Sequence, residues 1–187
     1  MKSRNNLSKL LQAISFAAKK HATQKRKGAN GEPYVNHVIE VANTLASIGK
    51  IEDYDVLIAA VLHDTIEDTG TTKEEITKLF GAAVGDYVME VTDDKSLPKA
   101  TRKQLQIEHA PHLSNGAKFI KLGDKISNIR DVSENPPDGW SNERRREYIQ
   151  WGENVIAGLR GANGNLENCF DQLIKTAKQK MVVSQIL

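Results

Sequence analysis

The sequence predicts an all-α helical bundle, and three observations lead to that fold class. Apolar residues recur at helical spacing along most of the 187-residue chain. Residues 56–62 are apolar on every side, which is typical of a helix at the centre of a bundle. No stretch alternates apolar and polar residues as a half-buried strand would. At most one short β-hairpin is expected, in the loop near residues 28–34.

The elements follow in order from apolar stripes and the residues that interrupt them. A loop over 23–33 is expected because it contains two glycines and a proline. Thr72 and Glu75 form a capping box, so a helix should begin there. Two prolines and a glycine over 135–139 predict a turn. The predicted helices cover residues 7–21, 35–48, 55–66, a segment beginning at 72, 82–92, 98–110, 117–132, 143–159 and 166–180.

Composition narrows the classes of protein to which the chain can belong. We expect a single domain over residues 1–187. The net charge of +2 argues against a nucleic-acid polymer as partner. The lone cysteine, Cys169, favours a reducing compartment, and no apolar run approaches the roughly 20 residues that span a membrane. A soluble cytoplasmic protein is therefore expected, and the sequence leaves its oligomeric state open.

The most informative segment follows the apolar helix and reads Leu-His-Asp-Thr-Ile-Glu-Asp-Thr over residues 62–69. Adjacent His63 and Asp64 offer a divalent metal one imidazole nitrogen and one carboxylate oxygen. Glu67 and Asp68 stand four residues later, on adjoining faces if the helix continues. A solvated polar helix end is the alternative. Burying a histidine and three acids is costly unless a metal or another partner neutralises them, so local sequence leaves the metal site and the solvated end equally open.

Two more ligands are needed, and His37 and Asp124 are the candidates. Taken alone, His37 could be a core histidine, and Asp124 could form a salt bridge with Lys121 or Lys125. With His63 and Asp64 they would supply two nitrogen and two oxygen donors. This donor set suits Mn²⁺, Fe²⁺ or Zn²⁺ better than Ca²⁺.

The order His, His-Asp, Asp on helices resembles the HD-domain metallophosphohydrolases. Segments 21–27, 33–37, 62–69 and 121–131 are similar to the hydrolase domain of RelA/SpoT enzymes, and most similar to the stand-alone small alarmone hydrolases of Mesh type. Segments 92–99 and 139–141 also resemble that subgroup, and the resemblance covers roughly residues 7–180.

Two departures from the family pattern lie beside the ligands without replacing them. Val38 follows His37 where the family usually has proline, and Gly123 precedes Asp124 where it has alanine. Gly123 is expected to loosen its helix by up to about 1 kcal/mol relative to alanine.

The resemblance implies an HD-domain bundle and a Mn²⁺-dependent guanosine-3′,5′-bis(diphosphate) 3′-diphosphohydrolase. Such an enzyme converts guanosine tetra- or pentaphosphate to GDP or GTP and pyrophosphate. A bound metal lowers the pKa of its water, and a carboxylate one turn beyond the ligands can accept the proton. The resemblance assigns Glu67 and Asp68 to catalysis, and the choice of base between them stays open.

A small nucleotide substrate with several phosphates needs a cluster of cations. Lys25, Arg26 and Lys27 lie in a loop with no acid between residues 19 and 32, although a solvated charge run is the alternative. Asn128 follows Asp124 by one turn and could read a ribose or base edge. The resemblance adds Lys99, Arg144 and Tyr148; Tyr34 could stack on guanine or pack the loop, and Arg145 and Arg146 should be solvated.

Other functions compete with this one. The same site could remove the 2′-phosphate of NADPH or act on another nucleotide. A catalytically silent alarmone-binding module is the non-enzymatic alternative. It would lack Glu67, Asp68 or a metal ligand, and all of these are present.

Overall fold

The protein is an all-α bundle, as the sequence predicts. A computed structural model describes the backbone of residues 2–183 and the side chains of residues 5–181. The helices of this part are α1 (Lys2–Lys20), α2 (Val35–Ser47), α3 (Tyr54–Leu62), α4 (Thr65–Thr69), α5 (Lys73–Phe80), α6 (Ala82–Val91), α7 (Lys99–His109), α8 (Asn115–Glu134), α9 (Asn142–Ala157) and α10 (Gly164–Val183). A 3-10 turn over Ala110–His112 follows α7.

Helix α3 lies at the centre, in agreement with its apolar sequence. Every residue from Val56 to Leu62 is buried, and the helix contacts α1, α2, α6 and α8. Asp53 caps its first turn by accepting a hydrogen bond from the backbone N–H of Asp55. Burial of this apolar surface provides the main driving force for packing the surrounding helices.

Helix α3 ends four residues earlier than the predicted limit of residue 66. The Thr65 hydroxyl donates to the carbonyl of Leu62 at 2.6 Å, and a two-residue turn at His63 and Asp64 separates α3 from α4, which begins at Thr65. His63 and Asp64 therefore occupy the bend between two helices. The bend separates this pair from Glu67 and Asp68, which lie on α4.

Helices α2 and α8 approach closely at Gly123. A methyl group there would lie 3.0 Å from Leu45 Cδ2 and 3.1 Å from Val41 Cγ1. The expectation that glycine merely loosens α8 is therefore incomplete, because its lack of a side chain also permits this contact. The contact brings Asp124, the next residue of α8, towards His37 on α2.

The short hairpin near residues 28–34 does not form. Within the described residues the loop has only isolated antiparallel bridges, between Lys25 and Pro33 and between Gly28 and Pro137. Arg26 N–H donates to the carbonyl of Glu32 at 2.8 Å. The ladder cannot extend because Pro33 has no N–H to donate.

The predicted domain of residues 1–187 extends beyond the described part at residue 1 and at residues 184–187, and a single domain stays a prediction. In the part of the chain that the structure describes, no helix is both long and apolar enough to cross a membrane.

Candidate active site

The four predicted metal ligands converge where α2, the α3–α4 bend and α8 meet. One ligand atom each from His37, His63 and Asp124 lies within 4.8 Å of the others. Asp64 Oδ2 is 3.0 Å from His63 Nε2 and 3.6 Å from His37 Nε2. Asp124 Oδ1 is 3.4 Å from His37 Nε2 and 3.8 Å from His63 Nε2. Two imidazoles and two carboxylates thus face a common point.

The two imidazoles are prepared to bind a metal. Their Nε2 atoms are buried and have no hydrogen-bond partner among the described residues. The Nδ1 atoms are engaged instead, that of His63 with the carbonyl of Ala60 at 2.8 Å and that of His37 with Ser127 Oγ at 2.9 Å. A donating Nδ1–H leaves the Nε2 lone pair free for a metal. Together with the carboxylates, this donor set fits a divalent metal.

The two carboxylates predicted as ligands are held by neighbouring polar groups. The hydroxyl of Tyr34 donates to Asp64 Oδ2 at 2.5 Å. Asn128 Nδ2 donates to Asp124 Oδ1 at 2.5 Å, and Lys125 Nζ lies 3.0 Å from Asp124 Oδ2. Of the two salt-bridge partners considered for Asp124, the structure selects Lys125. These contacts orient the ligand oxygens in the way that outer-shell groups do in metal sites.

Electrostatics keep both carboxylates ionised. Burial opposes their charge, yet the pKa of Asp64 is lowered by His63 and that of Asp124 by Lys125. Burial lowers the pKa of His37, whereas in His63 the effect of burial is outweighed by the two carboxylates, which raise its pKa to about 10. A metal that binds Nε2 of His63 therefore displaces a proton from it. Ionised carboxylates are the form that ligates a metal.

A cleft of about 580 Å³ opens beside this cluster. Tyr34 and Asn128, which hydrogen-bond to two of the predicted ligands, also line the cleft. The predicted residues that line it are Lys25, Arg26, Lys27, Tyr34, Glu67, Asp68, Lys99, Asn128 and Tyr148. Arg144 does not line the cleft. Its guanidinium lies 4.5 Å from the ring centre of Trp140, and Trp140 does line the cleft.

Glu67 is the less constrained of the two predicted catalytic acids. Its Oε2 accepts one hydrogen bond, from the backbone N–H of Asp93 at 3.1 Å. Its Oε1 lies 3.8 Å from Arg102 Nη1 and 3.9 Å from Lys95 Nζ. Burial, followed by repulsion from Asp64 and other acids, raises the pKa of Glu67. A raised pKa makes a carboxylate a stronger base.

Asp68 is held on both oxygens. Gln24 Nε2 donates to its Oδ2 at 2.7 Å, and Lys95 Nζ donates to its Oδ1. Gln24 is itself fixed, because its Oε1 lies 2.7 Å from Nδ1 of the buried His21. His21 thereby orders the side chain that contacts Asp68.

Arg26 connects the basic loop to Asp124, one of the predicted metal ligands. Its Nε and Nη2 donate to Asp131 Oδ2 at 2.8 and 2.5 Å, and Nη2 also donates to Asn128 Oδ1 at 3.0 Å. Because Asn128 donates in turn to Asp124, a continuous hydrogen-bonded path runs from loop to ligand. The Arg26 side chain is only 12% exposed, unlike a solvated charge. Lys25 and Lys27 are exposed.

Tyr34 has a contact that neither sequence-based alternative included. Its ring packs in the loop region, with centroids 5.0 Å from His21 and 5.5 Å from His37. Its hydroxyl is committed to Asp64. Stacking of Tyr34 on a guanine base stays a prediction.

Aromatic rings and cations line one wall of the cleft, which is made by α7, α9 and the residues just before α9. The rings of Trp140, Tyr148 and Trp151 follow one another at 5.6 and 5.2 Å. Lys103 Nζ lies 5.4 Å from the Tyr148 ring centre and 4.6 Å from that of Trp151. Burial and the neighbouring Lys27 and Arg144 lower the pKa of Lys99. The wall thus concentrates positive charge, which favours phosphate.

Sequence reasoning missed several residues that line the cleft, namely Gln24, Asp93, Lys95, Arg102, Lys103, Trp140 and Trp151. Lys103 had a detectable signal, since it follows Lys99 by four residues on one helix face.

The expectation that Arg145 is solvated was wrong. Its guanidinium donates to the carbonyls of Val132 and Ser133 at 3.0 and 3.1 Å. The last carbonyls of α8 lack partners within the helix, so a cation is favoured there.

Known proteins resemble this chain in sequence and fold. Residues 13–165 match the HD-domain family. Two relatives, the guanosine-3′,5′-bis(diphosphate) 3′-pyrophosphohydrolases MESH1 of Danio rerio and Homo sapiens, are each 51% identical to the chain. The fish protein aligns over 88% of the chain and 91% of its own length, and the human protein over 90% and 94%.

Solved structures agree. A metazoan orthologue of SpoT, reported to hydrolyse ppGpp and to play a role in starvation responses, gives a TM-score of 0.87 at 48% identity and covers 89% of this chain and 94% of its own. A Listeria monocytogenes protein gives a TM-score of 0.63 at 26% identity, and the match covers 78% of this chain and 98% of the Listeria chain. The chain belongs to the HD-domain family and, within it, to the group of the MESH1 pyrophosphohydrolases.

Proposed function

We propose that this protein hydrolyses the 3′-diphosphate of guanosine tetra- and pentaphosphate, releasing pyrophosphate and GDP or GTP. The observation that carries the proposal is the cluster of two imidazoles and two carboxylates beside a cleft with a cationic wall. The names of the MESH1 relatives support the same substrate. The lone Cys169 supports action in the reducing cytoplasm.

We propose Mn²⁺ as the metal and His37, His63, Asp64 and Asp124 as its ligands. The mixed nitrogen and oxygen donors support a metal of this class. A divalent ion held there supplies Lewis-acid activation of water and of the phosphoryl group. Tyr34 and Lys125 keep the two carboxylates oriented toward the imidazoles.

We propose Glu67 as the group that accepts the proton of the attacking water. Its raised pKa and its single hydrogen bond suit it to this role. Asp68 accepts from Gln24 and Lys95, so it is better suited to orienting groups than to proton transfer. This division of roles is our proposal for the choice that spacing left open.

We propose that the phosphates contact the exposed cations of the cleft. Lys25, Lys27 and Lys99 have no carboxylate within salt-bridge distance among the described side chains, so their charge is available. Lys103 joins this group because it points its ammonium at the aromatic wall of the same cleft. The predicted contacts of Arg26, Tyr34, Asn128, Arg144 and Tyr148 with substrate remain part of the proposal.

A direct assay tests the function. The protein is incubated with guanosine tetraphosphate and Mn²⁺, and pyrophosphate and GDP are measured separately. We expect both products in equal amounts and their loss on adding a chelator. Glu67→Gln serves as the matched inactive variant, because it keeps the shape of the side chain. NADPH is run in parallel; phosphate release from NADPH without pyrophosphate from the alarmone would overturn the assignment and leave the metal site intact.

A further inference from the structure

The two imidazole ligands differ in what holds their second ring nitrogen. His63 uses a backbone carbonyl of its own helix. His37 Nδ1 instead lies 2.9 Å from Ser127 Oγ, and that hydroxyl donates to Glu40 Oε2 at 2.6 Å. Glu40 Oε1 accepts a hydrogen bond from Arg130 Nη1. A metal ligand is therefore connected to an ion pair through one serine.

The direction of this relay follows from the donors available. A serine hydroxyl has one hydrogen, and an ionised carboxylate can only accept. The Ser127 hydrogen is therefore directed to Glu40, and Ser127 Oγ must accept from the Nδ1–H of His37. This arrangement fixes the tautomer of His37 with its Nε2 lone pair directed to the metal site.

The relay runs from the interior to the surface. His37 is 2% exposed and Ser127 is 0% exposed. The side chains of Glu40 and Arg130 are 33% and 34% exposed. A surface carboxylate thus acts on a buried ligand through hydrogen bonds, and the adjacent guanidinium partly neutralises it.

We propose that Glu40, acting through Ser127, is a positioning residue that strengthens metal binding by His37, and that Arg130 moderates its effect. The proposal rests on the metal site of the proposed function and is independent of the substrate. Outer-shell carboxylates orient ligating histidines and raise their basicity. Neither Glu40 nor Ser127 belongs to the ligand set or to the lining of the cleft.

Substitutions at Glu40 and at Arg130 should have different effects on the affinity for Mn²⁺. Glu40→Gln removes the charge that polarises Ser127, so the affinity for Mn²⁺ should fall about 10- to 100-fold, as for other outer-shell partners. Ser127→Ala leaves the Nδ1–H of His37 without an acceptor and should cause a similar fall. Arg130→Met releases Glu40 from its cation, so the affinity should stay the same or rise. A network with a purely structural role would lose affinity when any member is removed.

The test is a titration of the full chain with Mn²⁺, by calorimetry or by competition with a chelator. Ser133→Ala is the matched control, because Ser133 is a buried serine on the same helix outside the relay. Thermal unfolding without metal checks that each variant folds. The double variant of Glu40→Gln and Ser127→Ala should bind Mn²⁺ no more weakly than Ser127→Ala alone, since both changes break one path.

The proposal is overturned if Glu40→Gln binds Mn²⁺ within twofold of the wild type, or if Arg130→Met weakens binding as much as Glu40→Gln does. A wild-type chain that binds no Mn²⁺ would also overturn it. Because no nucleotide is present in the titration, a protein that binds Mn²⁺ as expected but fails to cleave the alarmone would refute the proposed substrate and leave the relay standing.

Discussion

Replacing Lys125 with methionine tests how a buried charge pair supports the metal site. The Lys125 side chain is 3% exposed, and its Nζ lies 3.0 Å from Asp124 Oδ2. The ammonium also lies 4.5 Å from the ring centre of Trp151. Methionine preserves most of the packing of the stem. It leaves Asp124 buried without its cation, next to Asp64.

The magnitude follows from the environment of Asp124. Removing one partner of a buried ion pair costs about 3–5 kcal/mol. Asp124 keeps its hydrogen bond from Asn128 and some solvent contact, so the lower value, about 3 kcal/mol, is expected. For a protein of this size, 1 kcal/mol corresponds to about 2–4 °C in Tm, which gives a fall of about 6–12 °C without metal. Saturating Mn²⁺ should restore much of this loss, because the more negative site binds the ion more tightly.

Lys121→Met is the matched control for this experiment. Lys121 is also buried on α8, one turn earlier, but its Nζ donates to the backbone carbonyl of Val91 at 3.0 Å. It has no carboxylate within 4.0 Å among the described side chains. Thermal unfolding of both variants is measured with and without Mn²⁺. If the two variants lose equal stability and respond equally to Mn²⁺, the role assigned to Lys125 is wrong.

Four further predictions concern the metal site and the reaction. Asp64→Asn should purify without metal, and full occupancy by elemental analysis would remove Asp64 from the ligand set. Glu67→Gln should keep its metal and lose at least about 100-fold in kcat, the usual contribution of a positioned base. The base acts in its deprotonated form, so activity should fall as the pH drops through the raised pKa of Glu67. Asp93→Asn removes a negative charge that helps to raise this pKa, so the acidic limb of the pH profile should move to lower pH. Arg26→Ala should impair turnover strongly while the exposed control Arg146→Ala changes it less than twofold, and equal losses would point to general charge.

The sequence was most predictive where residue type alone sets the chemistry. The apolar run of α3 predicts its central position, which the structure confirms. The ligand roles of His63 and Asp64 stay a prediction, and the structure places their side chains beside those of His37 and Asp124. Helix boundaries were less predictable. Periodicity continued past residue 62, whereas the hydroxyl of Thr65 captures a backbone carbonyl and the chain bends.

The remaining features depend on contacts between residues distant in sequence. Glu40 and Ser127 are separated by 87 residues, and nothing in their local sequences links them to His37. Asp131 lies 105 residues from Arg26 in the sequence, yet it accepts a hydrogen bond from the Arg26 guanidinium. The loop contains no acid of its own near Arg26, and α8 supplies one. Such pairings are set by how α2 and α8 pack, which a single sequence does not reveal.

The path from Arg26 to Asp124 changes how variants of the basic loop should be interpreted. If Arg26 only contacted phosphate, its removal would alter substrate affinity and leave metal affinity untouched. In the structure its guanidinium holds Asn128, and Asn128 donates to the ligand Asp124. Removal of Arg26 therefore frees an amide beside the metal site, and a modest loss of Mn²⁺ affinity is expected together with the kinetic defect. Lys27→Ala separates the two effects, because exposed Lys27 lines the same cleft and has no connection to a ligand among the described contacts. Its kinetic loss should occur at unchanged metal affinity.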